Sequence, residues 1–319
     1  MKIVQICNVG NICGGTAACA WSITRALPKC QHVICFLSTP TPETRDTCQP
    51  VPVQQIQRVD DRVLASFQPD LVILHNTAAV HMGDLRQSFC LQYMHSRGNH
   101  APANFTVACS KWLAHQLPRP VPVLEQPVPL PPGIDRRLCT SDSRAFDDEL
   151  IVGRICTPQR RKWPESSLTI YRQLAPMFPE IRWEFVGCPS VLQPQLRAAC
   201  RGRAKFWSAG WKARQHLARW HVLLYHHPTL TESFGRTCAE AMRAGCIPVV
   251  DDRGGFSEQI HSGRTGFLCR SISEFATALD ALTPSQRWLM SQACRSEANA
   301  RFSLRSFADR FRQLLSSIQ

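Results

Sequence analysis

Hydrophobic residues along this chain gather in short runs that are separated by mixed or polar stretches. The runs at residues 71–74, 222–225 and 247–250 have the length of buried strands. None approaches the roughly 20 apolar residues that a membrane-spanning helix requires. The first run, residues 2–6, is not followed by a long apolar segment with a cleavage site, so we interpret it as a strand rather than a signal peptide.

Strand-like runs alternate with helix-like segments in both halves of the sequence. Strands are predicted at residues 2–6, 32–37, 71–75, 91–95, 105–109, 151–154, 182–187, 222–225 and 247–250. Helices are predicted between them at residues 16–27, 58–67, 110–117, 164–174 and 234–244, and residues 38–52 are predicted to be irregular. This alternation predicts an α/β fold of two doubly wound parallel-sheet domains that face each other across a cleft.

A proline-rich and then polar segment separates the two halves. Residues 118–132 hold seven prolines, a density that excludes regular helix, and residues 136–148 are polar. We therefore predict an N-terminal domain at residues 1–140 and a C-terminal domain at residues 141–300. Apolar residues recur with helical spacing near the C-terminus, so residues 301–319 are predicted to form a helix that returns toward the N-terminal domain.

Composition narrows the class of protein without selecting a function. With 44% hydrophobic and 19% charged residues, the chain is typical of a soluble globular protein. Its 16 cysteines include no C-x-x-C pair, which favours buried free thiols in a reducing cytoplasm over disulfides or a metal cluster. The net charge of +13 is compatible with a phosphate-bearing substrate, an anionic membrane surface, nucleic acid or simply a basic surface.

The candidate chemistry lies in residues 231–250, which are predicted to form a loop, a helix, a glycine stop and a strand. Ser233 is placed to cap the helix, because its hydroxyl can accept a free N–H group of the first turn. The N–H groups from Phe234 to Arg236 would then form an anion site, which Gly235 would leave open to a phosphate.

Two glutamates flank this predicted anion site. Glu232 and Glu240 are separated by a helical rise of roughly 12 Å, and a little over two turns put them on about the same side. That length is similar to the hexose, diphosphate and ribose of a nucleotide sugar in a row. A glutamate pair at this spacing is usually just solvated, so the residues around the pair carry the inference.

Residues 231–268 resemble the signature of the retaining GT-B glycosyltransferases of family 4. The matching elements are E-S-F-G at 232–235, E-A-M at 240–242, G-G-F-S-E at 254–258 and G-R-T-G-F-L at 263–268. A weaker resemblance extends over nearly the whole chain. It implies the GT-B fold and transfer, with retention at the anomeric carbon, of a hexosyl group from a UDP-, GDP- or ADP-linked sugar, with no cofactor.

The resemblance also implies roles for charged residues of the second domain. Glu232 would orient the hexose, and Glu240 would bind the ribose diol. Arg154, in the element I-V-G-R, and Lys162 would neutralise the donor diphosphate, with Arg161 as the substitute for the lysine. Clustered cations of this kind are otherwise usually solvated.

In the first domain, the resemblance implies donor contacts from Gly15 and Thr16, which belong to the G-G-T element after the first strand. His95 follows a strand whose terminal histidine would face the donor sugar and act in catalysis. His75, at the end of P-D-L-V-I-L-H, would have a structural or acceptor-side role. A lone histidine is otherwise more often a satisfied core residue.

No metal site is expected, because the sequence has no Asp-x-Asp spacing and the cations named above would stabilise the departing diphosphate. The acceptor would be a glycan, a lipid or a small molecule. We expect a cytoplasmic protein that can associate peripherally with the anionic inner face of the membrane. Nucleic acid is not an expected partner, since nothing resembles a recognition helix or a stacking platform.

Three alternatives stay open at this point. A GT-B enzyme that epimerises or hydrolyses nucleotide sugars would use the same donor residues. A non-catalytic nucleotide-sugar-binding module would keep Arg154 and Glu240 but lack a working hexose site. A glycosyltransferase that acts on DNA, or a nucleic-acid-binding protein, would account for the net charge of +13.

Overall fold

The computed structural model describes residues 1–132, 134 and 149–318, which divide into two compact units. Unit 1 comprises Met1–Pro129 and the chain from Arg301 onward, and unit 2 comprises the described residues of Leu130–Ala300. The boundary predicted at residues 140 and 141 lies outside the described residues. Each unit is built on one parallel sheet of six strands.

Unit 1 has the strand order β3-β2-β1-β4-β5-β6, with every neighbouring pair parallel. Its strands are β1 (Lys2–Cys7), β2 (Gln31–Phe36), β3 (Val53–Gln55), β4 (Leu71–His75), β5 (Cys90–Met94) and β6 (Phe105–Ala108). Its helices are α1 (Gly15–Ala26), α2 (Pro42–Cys48), α3 (Asp61–Ala65), α4 (Lys111–His115) and α11 (Leu304–Ile318). The predicted cap of α4 is confirmed, because the Ser110 hydroxyl accepts the Leu113 N–H at 3.1 Å.

Unit 2 repeats the same topology, with the strand order β12-β11-β10-β7-β8-β9 and parallel neighbours throughout. Its strands are β7 (Ile151–Ile155), β8 (Arg182–Val186), β9 (Ala204–Trp207), β10 (Val222–Tyr225), β11 (Ile247–Asp251) and β12 (Phe267–Cys269). Its helices are α5 (Leu168–Met177), α6 (Gln193–Ala199), α7 (Arg236–Ala244), α8 (Phe256–Gln259), α9 (Ile272–Asp280) and α10 (Pro284–Phe302).

Both sheets place their first and fourth strands side by side. The chain leaves these two strands in opposite directions, so a crevice forms beyond their carboxyl ends, where ligands of doubly wound sheets bind. In unit 1 this position lies beyond β1 and β4, and in unit 2 it lies beyond β7 and β10. The α/β fold predicted from the alternation of strands and helices is confirmed.

Several predicted elements have different bounds in the structure. The helix predicted at 58–67 is only α3, and the stretch predicted as irregular at 38–52 contains α2, which Thr41 caps by accepting the Thr44 N–H. Residues 168–177 form α5 after a 3₁₀ turn at Glu165–Ser167, whereas the prediction began the helix at 164. Helical termini depend on local caps that hydrophobic periodicity does not report.

The C-terminal helix α11 packs within unit 1, where it contacts α1. Phe307, Ala308 and Phe311 are buried on one face of α11, as the helical spacing of its apolar residues predicted. Among the described helices, none combines the length and apolar character needed to cross a membrane. The fifteen described cysteines are free thiols, and most of them are buried.

Candidate active site

The chemically interesting residues of unit 2 lie at the carboxyl ends of its two central strands. Arg154 is on β7, and the loop that follows β7 carries Lys162. Tyr225 is the last residue of β10, and the loop that follows β10 carries Glu232. The topology therefore brings residues that are distant in sequence to the position where this type of sheet binds ligands.

Lys162 and Glu232 form an ion pair at this position. The Lys162 ammonium group donates a short hydrogen bond to Glu232 Oε1, and the Tyr225 hydroxyl donates to the same oxygen at 2.7 Å. Both side chains of the ion pair are partly accessible, at 14% for Lys162 and 25% for Glu232. The structure therefore brings together the lysine and the glutamate that the sequence predicted to act on neighbouring parts of one donor.

Glu232 is held in its ionised form. Burial alone would raise its pKa, but the Lys162 charge and the hydrogen bonds from Lys162 and Tyr225 outweigh burial and hold the pKa of Glu232 below its ordinary value. Burial raises the pKa of Tyr225 well above its ordinary range, so the phenol stays a hydrogen-bond donor. Glu232 is thus a carboxylate that accepts hydrogen bonds at neutral pH.

Glu240 is buried on α7 between two arginines. Arg214 Nε and Arg236 Nε both donate to Glu240 Oε1, each at 3.0 Å. The Arg214 guanidinium in turn lies over the Trp211 ring, with its central carbon 4.0 Å from the ring centroid. Two cations on one oxygen fix the orientation of this carboxylate.

Glu232 and Glu240 share one feature that bears on ligand binding. Each uses a single oxygen, Oε1, for its protein partners. Within the described residues, Oε2 of each accepts no hydrogen bond, and neither Oε2 belongs to the buried polar atoms that lack a partner. Each glutamate therefore presents one oxygen that can accept hydrogen bonds from hydroxyl groups of a ligand.

Arg154 is placed differently from its predicted role at the diphosphate. It is only 1% exposed, and its guanidinium donates to the carbonyl oxygens of His226 at 2.7 Å and Lys162 at 2.8 Å. It also lies over the rings of Trp163 and Tyr225. These hydrogen bonds link the two loops, and burial leaves little of the side chain accessible, so its contact with a phosphate stays a prediction.

The start of α7 corrects the prediction for residues 233–236. The helix begins at Arg236 rather than at Phe234, and its N-cap is Gly235, with no hydrogen bond from a capping side chain. Ser233 therefore does not cap α7, and Glu232 lies in the preceding loop, so the helical rise estimated between Glu232 and Glu240 does not apply. In the first turn of α7, the Cys238 N–H donates to the carbonyl oxygen of the N-cap residue Gly235 at 2.9 Å, so this N–H is already used at the helix start.

Glycines shape the backbone around this helix start. Gly235 has a φ of 80°, and a Cβ there would lie 2.4 Å from the Phe256 ring. Gly254 and Gly255 approach the loop that carries Glu232 so closely that a Cβ on either would overlap its backbone carbonyl oxygens. The Gly255 N–H donates to the Glu232 carbonyl oxygen at 2.8 Å, so the G-G-F-S-E element supports the glutamate loop.

The remaining predicted residues of unit 2 surround this centre. Arg161 is exposed, and its Nε donates to Gln159 Oε1 at 3.0 Å. Phe234 is buried, and its carbonyl oxygen accepts a short hydrogen bond from the Gln259 amide. Arg236 is 8% exposed and is held against Glu240, so its side chain is part of the carboxylate site.

In unit 1, His95 follows β5 and belongs to a chain of hydrogen bonds. His75 Nδ1 lies 2.9 Å from His95 Nε2, His95 Nδ1 lies 2.9 Å from the Gln126 amide nitrogen, and His75 Nε2 lies 3.1 Å from Gln5 Oε1. Gln5 then donates to the Ala20 carbonyl oxygen at 3.0 Å. One assignment of protons satisfies every link: both imidazoles are neutral and carry their proton on Nε2.

These hydrogen bonds change the interpretation of His95. Both of its ring nitrogens bond inside unit 1, so action on a sugar through a ring nitrogen requires one of these bonds to break. His75 is fully buried, and burial lowers its pKa to about 3, which agrees with the neutral form that the chain requires. Gly15 and Thr16 begin α1 in the same unit. A Cβ at Gly15 would meet no atom within 4 Å, and the Thr16 hydroxyl lies 3.3 Å from Asn8 Oδ1.

The same histidines are part of the one group of possible metal ligands among the described residues. Candidate ligand atoms of Cys19, His75 and His95 lie within 4.8 Å of one another. The facing ring nitrogens of the two histidines are, however, 2.9 Å apart and share a proton in the hydrogen-bond chain. That arrangement satisfies the donors without a cation, so the geometry favours a hydrogen-bonded group over a metal centre.

Sequence reasoning missed three residues that complete the site. Tyr225 ends a predicted strand, and the last residue of a strand in a doubly wound sheet is a general signal for ligand contact. Arg214 lies in a 3₁₀ segment, Lys212–Ala218, where nothing in the local pattern indicates its carboxylate partner. His227 follows β10 and has no recognisable motif, although it touches the loop that carries Lys162.

Two doubly wound sheets of six parallel strands, each flanked by helices, form the GT-B architecture of glycosyltransferases. Residues 149–284, which include β7 to α9, match the family described as Glycosyl transferases group 1. This domain and the fold together support a transferase enzyme that acts in glycosyl transfer. No curated protein sequence matches the chain.

Solved structures resemble the chain over nearly its whole length. HepE of Anabaena, solved in complex with UDP-glucose, has a TM-score of 0.77 and 18% identity, with 99% of this chain and 100% of that chain covered. A glycosyltransferase of Rickettsia africae has a TM-score of 0.76 and 14% identity, with 99% and 98% covered. Sucrose-phosphate synthase of Thermosynechococcus elongatus has a TM-score of 0.73 and 15% identity, with 100% and 99% covered. These low identities bear on the fold alone.

Proposed function

We propose that this protein is a retaining glycosyltransferase of family 4 that moves a hexosyl group from a nucleotide-diphosphate sugar to an acceptor hydroxyl without a divalent metal. One observation carries the proposal: Glu232 and Glu240 each direct Oε1 to protein cations, while among the described residues no group donates to Oε2. Carboxylate oxygens of this kind bind sugar diols, and the cations around them suit a diphosphate.

Each residue has a defined part in this proposal. Glu232 Oε2 accepts hydrogen bonds from the hexose, and Glu240 Oε2 accepts them from the ribose diol. The first turn of α7 and the Lys162 ammonium group stabilise the negative charge that grows on the diphosphate as its bond to the anomeric carbon breaks. Arg161, exposed beside Lys162, adds a second cation.

The remaining predicted contacts have narrower roles. Gly235 permits the backbone turn before α7, and Ser233 and Phe234 shape the wall of the donor site. We propose Gly15 and Thr16 as donor contacts from unit 1, where the space beside Gly15 is open.

The proposed stereochemistry is retention. The acceptor oxygen bonds to the anomeric carbon on the face that the diphosphate leaves, and the departing phosphate takes the acceptor proton. Glu232 is therefore not a nucleophile in this proposal. Lys162 and the start of α7 supply the electrostatic stabilisation that a divalent cation gives in other transferases.

The donor and the acceptor are proposed by class. HepE of Anabaena was solved with UDP-glucose, which makes UDP-glucose the first donor to test, followed by GDP- and ADP-linked sugars. A glycan or a lipid is the proposed acceptor. The net charge of +13 supports an anionic acceptor or an anionic membrane surface, and the free thiols support a reducing compartment such as the cytoplasm.

A thermal-shift panel of nucleotides and nucleotide sugars tests the donor class, because a ligand that binds the native state raises the melting temperature. The proposal expects one nucleotide-diphosphate sugar to stabilise the protein, and the same sugar to be transferred when acceptors are supplied. Free sugar released at the same rate with and without acceptors would indicate a hydrolase instead. Stabilisation by duplex DNA and by no nucleotide sugar would contradict the proposal.

A further inference from the structure

His227 joins the two loops that carry Lys162 and Glu232. His227 lies in the loop after β10, and its Nε2 lies 2.8 Å from the carbonyl oxygen of Arg161, which lies in the loop after β7. Its Nδ1 accepts the Leu230 N–H at 2.7 Å and the Thr229 N–H at 3.2 Å. A ring nitrogen that accepts backbone N–H groups carries no proton, so the proton of this imidazole is on Nε2.

The loop after β10 holds His227 firmly in turn. Its backbone N–H donates to Asp251 Oδ2 at 2.7 Å, and Arg253 donates to the same carboxylate at 2.9 Å and, in a short hydrogen bond, to the His227 carbonyl oxygen. His227 is 3% exposed. The ring is therefore a rigid spacer between two backbone segments and not a mobile surface group.

Two consecutive carbonyl groups of the loop that carries Lys162, here called the lysine loop, are held by hydrogen bonds. His227 binds the carbonyl oxygen of Arg161, and Arg154 binds the carbonyl oxygen of Lys162. Because these carbonyls flank the Lys162 residue, its backbone cannot turn without the loss of at least one of the two bonds. Arg154 also binds the His226 carbonyl oxygen, so from β7 it connects the lysine loop to the loop that carries His227.

We infer that His227 is a positioning residue that holds the Lys162 ammonium group at Glu232, and that only its neutral, Nε2-protonated form can do so. The inference rests on the proposed function, in which Lys162 stabilises the departing diphosphate. It adds a residue that belongs to no recognised motif and does not touch the donor in this account.

A second proton on His227 would break this arrangement. Nδ1–H would point at two backbone N–H donors, and the imidazolium would face the cations Arg154, Arg253 and Lys162. The Asp251 carboxylate, which accepts the His227 backbone N–H, also carries the ion pair with Arg253. Burial lowers the pKa of His227, and those three charges lower it further against the opposing hydrogen bond to the Arg161 carbonyl. The neutral ring therefore persists at neutral pH, and acid removes the support of Lys162.

Two substitutions separate the two functions of the ring. His227→Gln places an amide N–H where Nε2 was and keeps the donor to Arg161, whereas His227→Asn places an amide oxygen where Nδ1 was and keeps only the acceptor. His261→Gln is the control, because His261 is 55% exposed and pairs with Glu297 away from these loops. We propose to titrate all four proteins with UDP, GDP and ADP by calorimetry at about pH 7.5 and about pH 5.5.

At the higher pH, His227→Asn is expected to bind the preferred nucleoside diphosphate about tenfold more weakly, and His227→Gln within about threefold of the parent protein. The parent and the His261 control should lose more affinity at the lower pH than His227→Gln, whose side chain does not titrate. Equal affinities of parent and His227→Asn at both pH values, with equal melting temperatures, would overturn the inference.

A second measurement keeps the inference testable if the variants fail to fold or if no diphosphate binds. ¹⁵N NMR of the imidazole should report a bare Nδ1 and a protonated Nε2, and the backbone amide signal of Lys162 should shift as His227 takes up its second proton. A bare Nε2, or a Lys162 signal that ignores this titration, would overturn the inference. Absence of nucleotide binding with the expected NMR result would instead contradict the proposed function.

Discussion

The two units share one topology, but their polar residues beyond the strands differ in how much of their hydrogen-bonding capacity the protein itself uses. In unit 1, His75 and His95 lie at the ends of β4 and β5, and every ring nitrogen bonds to another residue of the unit. In unit 2, Glu232 and Glu240 bond to other residues through Oε1, and within the described part of the chain their Oε2 atoms accept no hydrogen bond. Under the proposed function, the two histidines are structural, and unused hydrogen-bonding capacity marks the two glutamates as the residues that bind the donor.

The largest effect should follow from the loss of charge at Glu232. We expect Glu232→Gln to lower kcat/KM by about 10³-fold, because the carboxylate that orients the hexose is gone and Lys162 loses its counter-ion. Initial rates with the selected donor check this, with circular dichroism to verify folding. Glu180→Gln, an exposed substitution outside the site, should be unchanged. Near-normal turnover of Glu232→Gln would remove this residue from the mechanism.

Substitution of Arg154 should lower the stability of unit 2. Arg154→Lys cannot span the two carbonyl oxygens that the guanidinium binds, so we expect unit 2 to lose about 2–4 kcal/mol of unfolding free energy. Chemical denaturation followed by hydrogen exchange of the β7 amides measures this loss. If Arg154→Lys were as stable as the parent but no longer bound nucleoside diphosphates, the result would instead support the diphosphate contact that the sequence predicted.

Glu240 should affect binding of the donor more than its turnover. We expect Glu240→Gln to weaken donor affinity about tenfold to thirtyfold, since the neutral amide is a poorer acceptor for the ribose diol and a poorer partner for Arg214 and Arg236. Calorimetry gives the affinity, and saturating donor should restore most of kcat. Unchanged affinity would leave Glu240 as a purely structural anchor for the two arginines.

His95 provides the corresponding test in unit 1. Because both ring nitrogens bond internally, His95→Asn should cost about 1–1.5 kcal/mol of local stability while donor affinity stays within about threefold. Hydrogen exchange of the β5 amides and calorimetry give the two values. A loss of turnover of more than about a hundredfold in a stable variant would restore the catalytic role that the sequence predicted and would erase the contrast between the units.

The pH dependence of unit 1 should have a defined sign. The pKa of His75 is lowered to about 3 in the folded state, whereas an unfolded histidine titrates near its ordinary value of 6.5. The unfolded state therefore binds more protons between these values, and protection of the β4 amides should fall as pH drops below about 6.5, by at most about 1.4 kcal/mol per pH unit. Glu232 contributes acid sensitivity only at lower pH, as its lowered pKa is approached. A flat profile for β4 would indicate that His75 is not held neutral.

The sequence predicted the central strands well and the edges poorly. β1, β4, β7, β10 and β11 are largely buried on both faces. β4, β10 and β11 contain continuous apolar runs, whereas β1 and β7 are mostly apolar but include Gln5 and Arg154. The edge strands β3 and β9 were missed, because they expose Gln54, Gln55 and Lys205 and lack such a run. The edge strand β12 has only three residues, too few for a periodic signal.

The site was predictable only as far as its local motif reached. The E-S-F-G element pointed to Glu232, and the family resemblance built on it pointed to Lys162. The sequence could not reveal that Tyr225 and Arg214 bind the two glutamates. The Tyr225 contact depends on how the loop after β10 folds back, and Arg214 comes from the segment that precedes β10. The contact of Arg154 with the diphosphate stays a prediction, and its spacing in the sequence does not show that the guanidinium also binds two carbonyl oxygens.

Calorimetric titration of the parent protein and of Glu232→Gln/Glu240→Gln with one nucleotide-diphosphate sugar tests the central claim most directly. The sugar is the one that raises the melting temperature most in the thermal-shift panel. The account predicts saturable binding at one site in the parent, and a loss of affinity of at least about a hundredfold in the double variant while the protein stays folded. Equal affinities for the two proteins, with both folded, would contradict the claim that the unused carboxylate oxygens of unit 2 bind the donor.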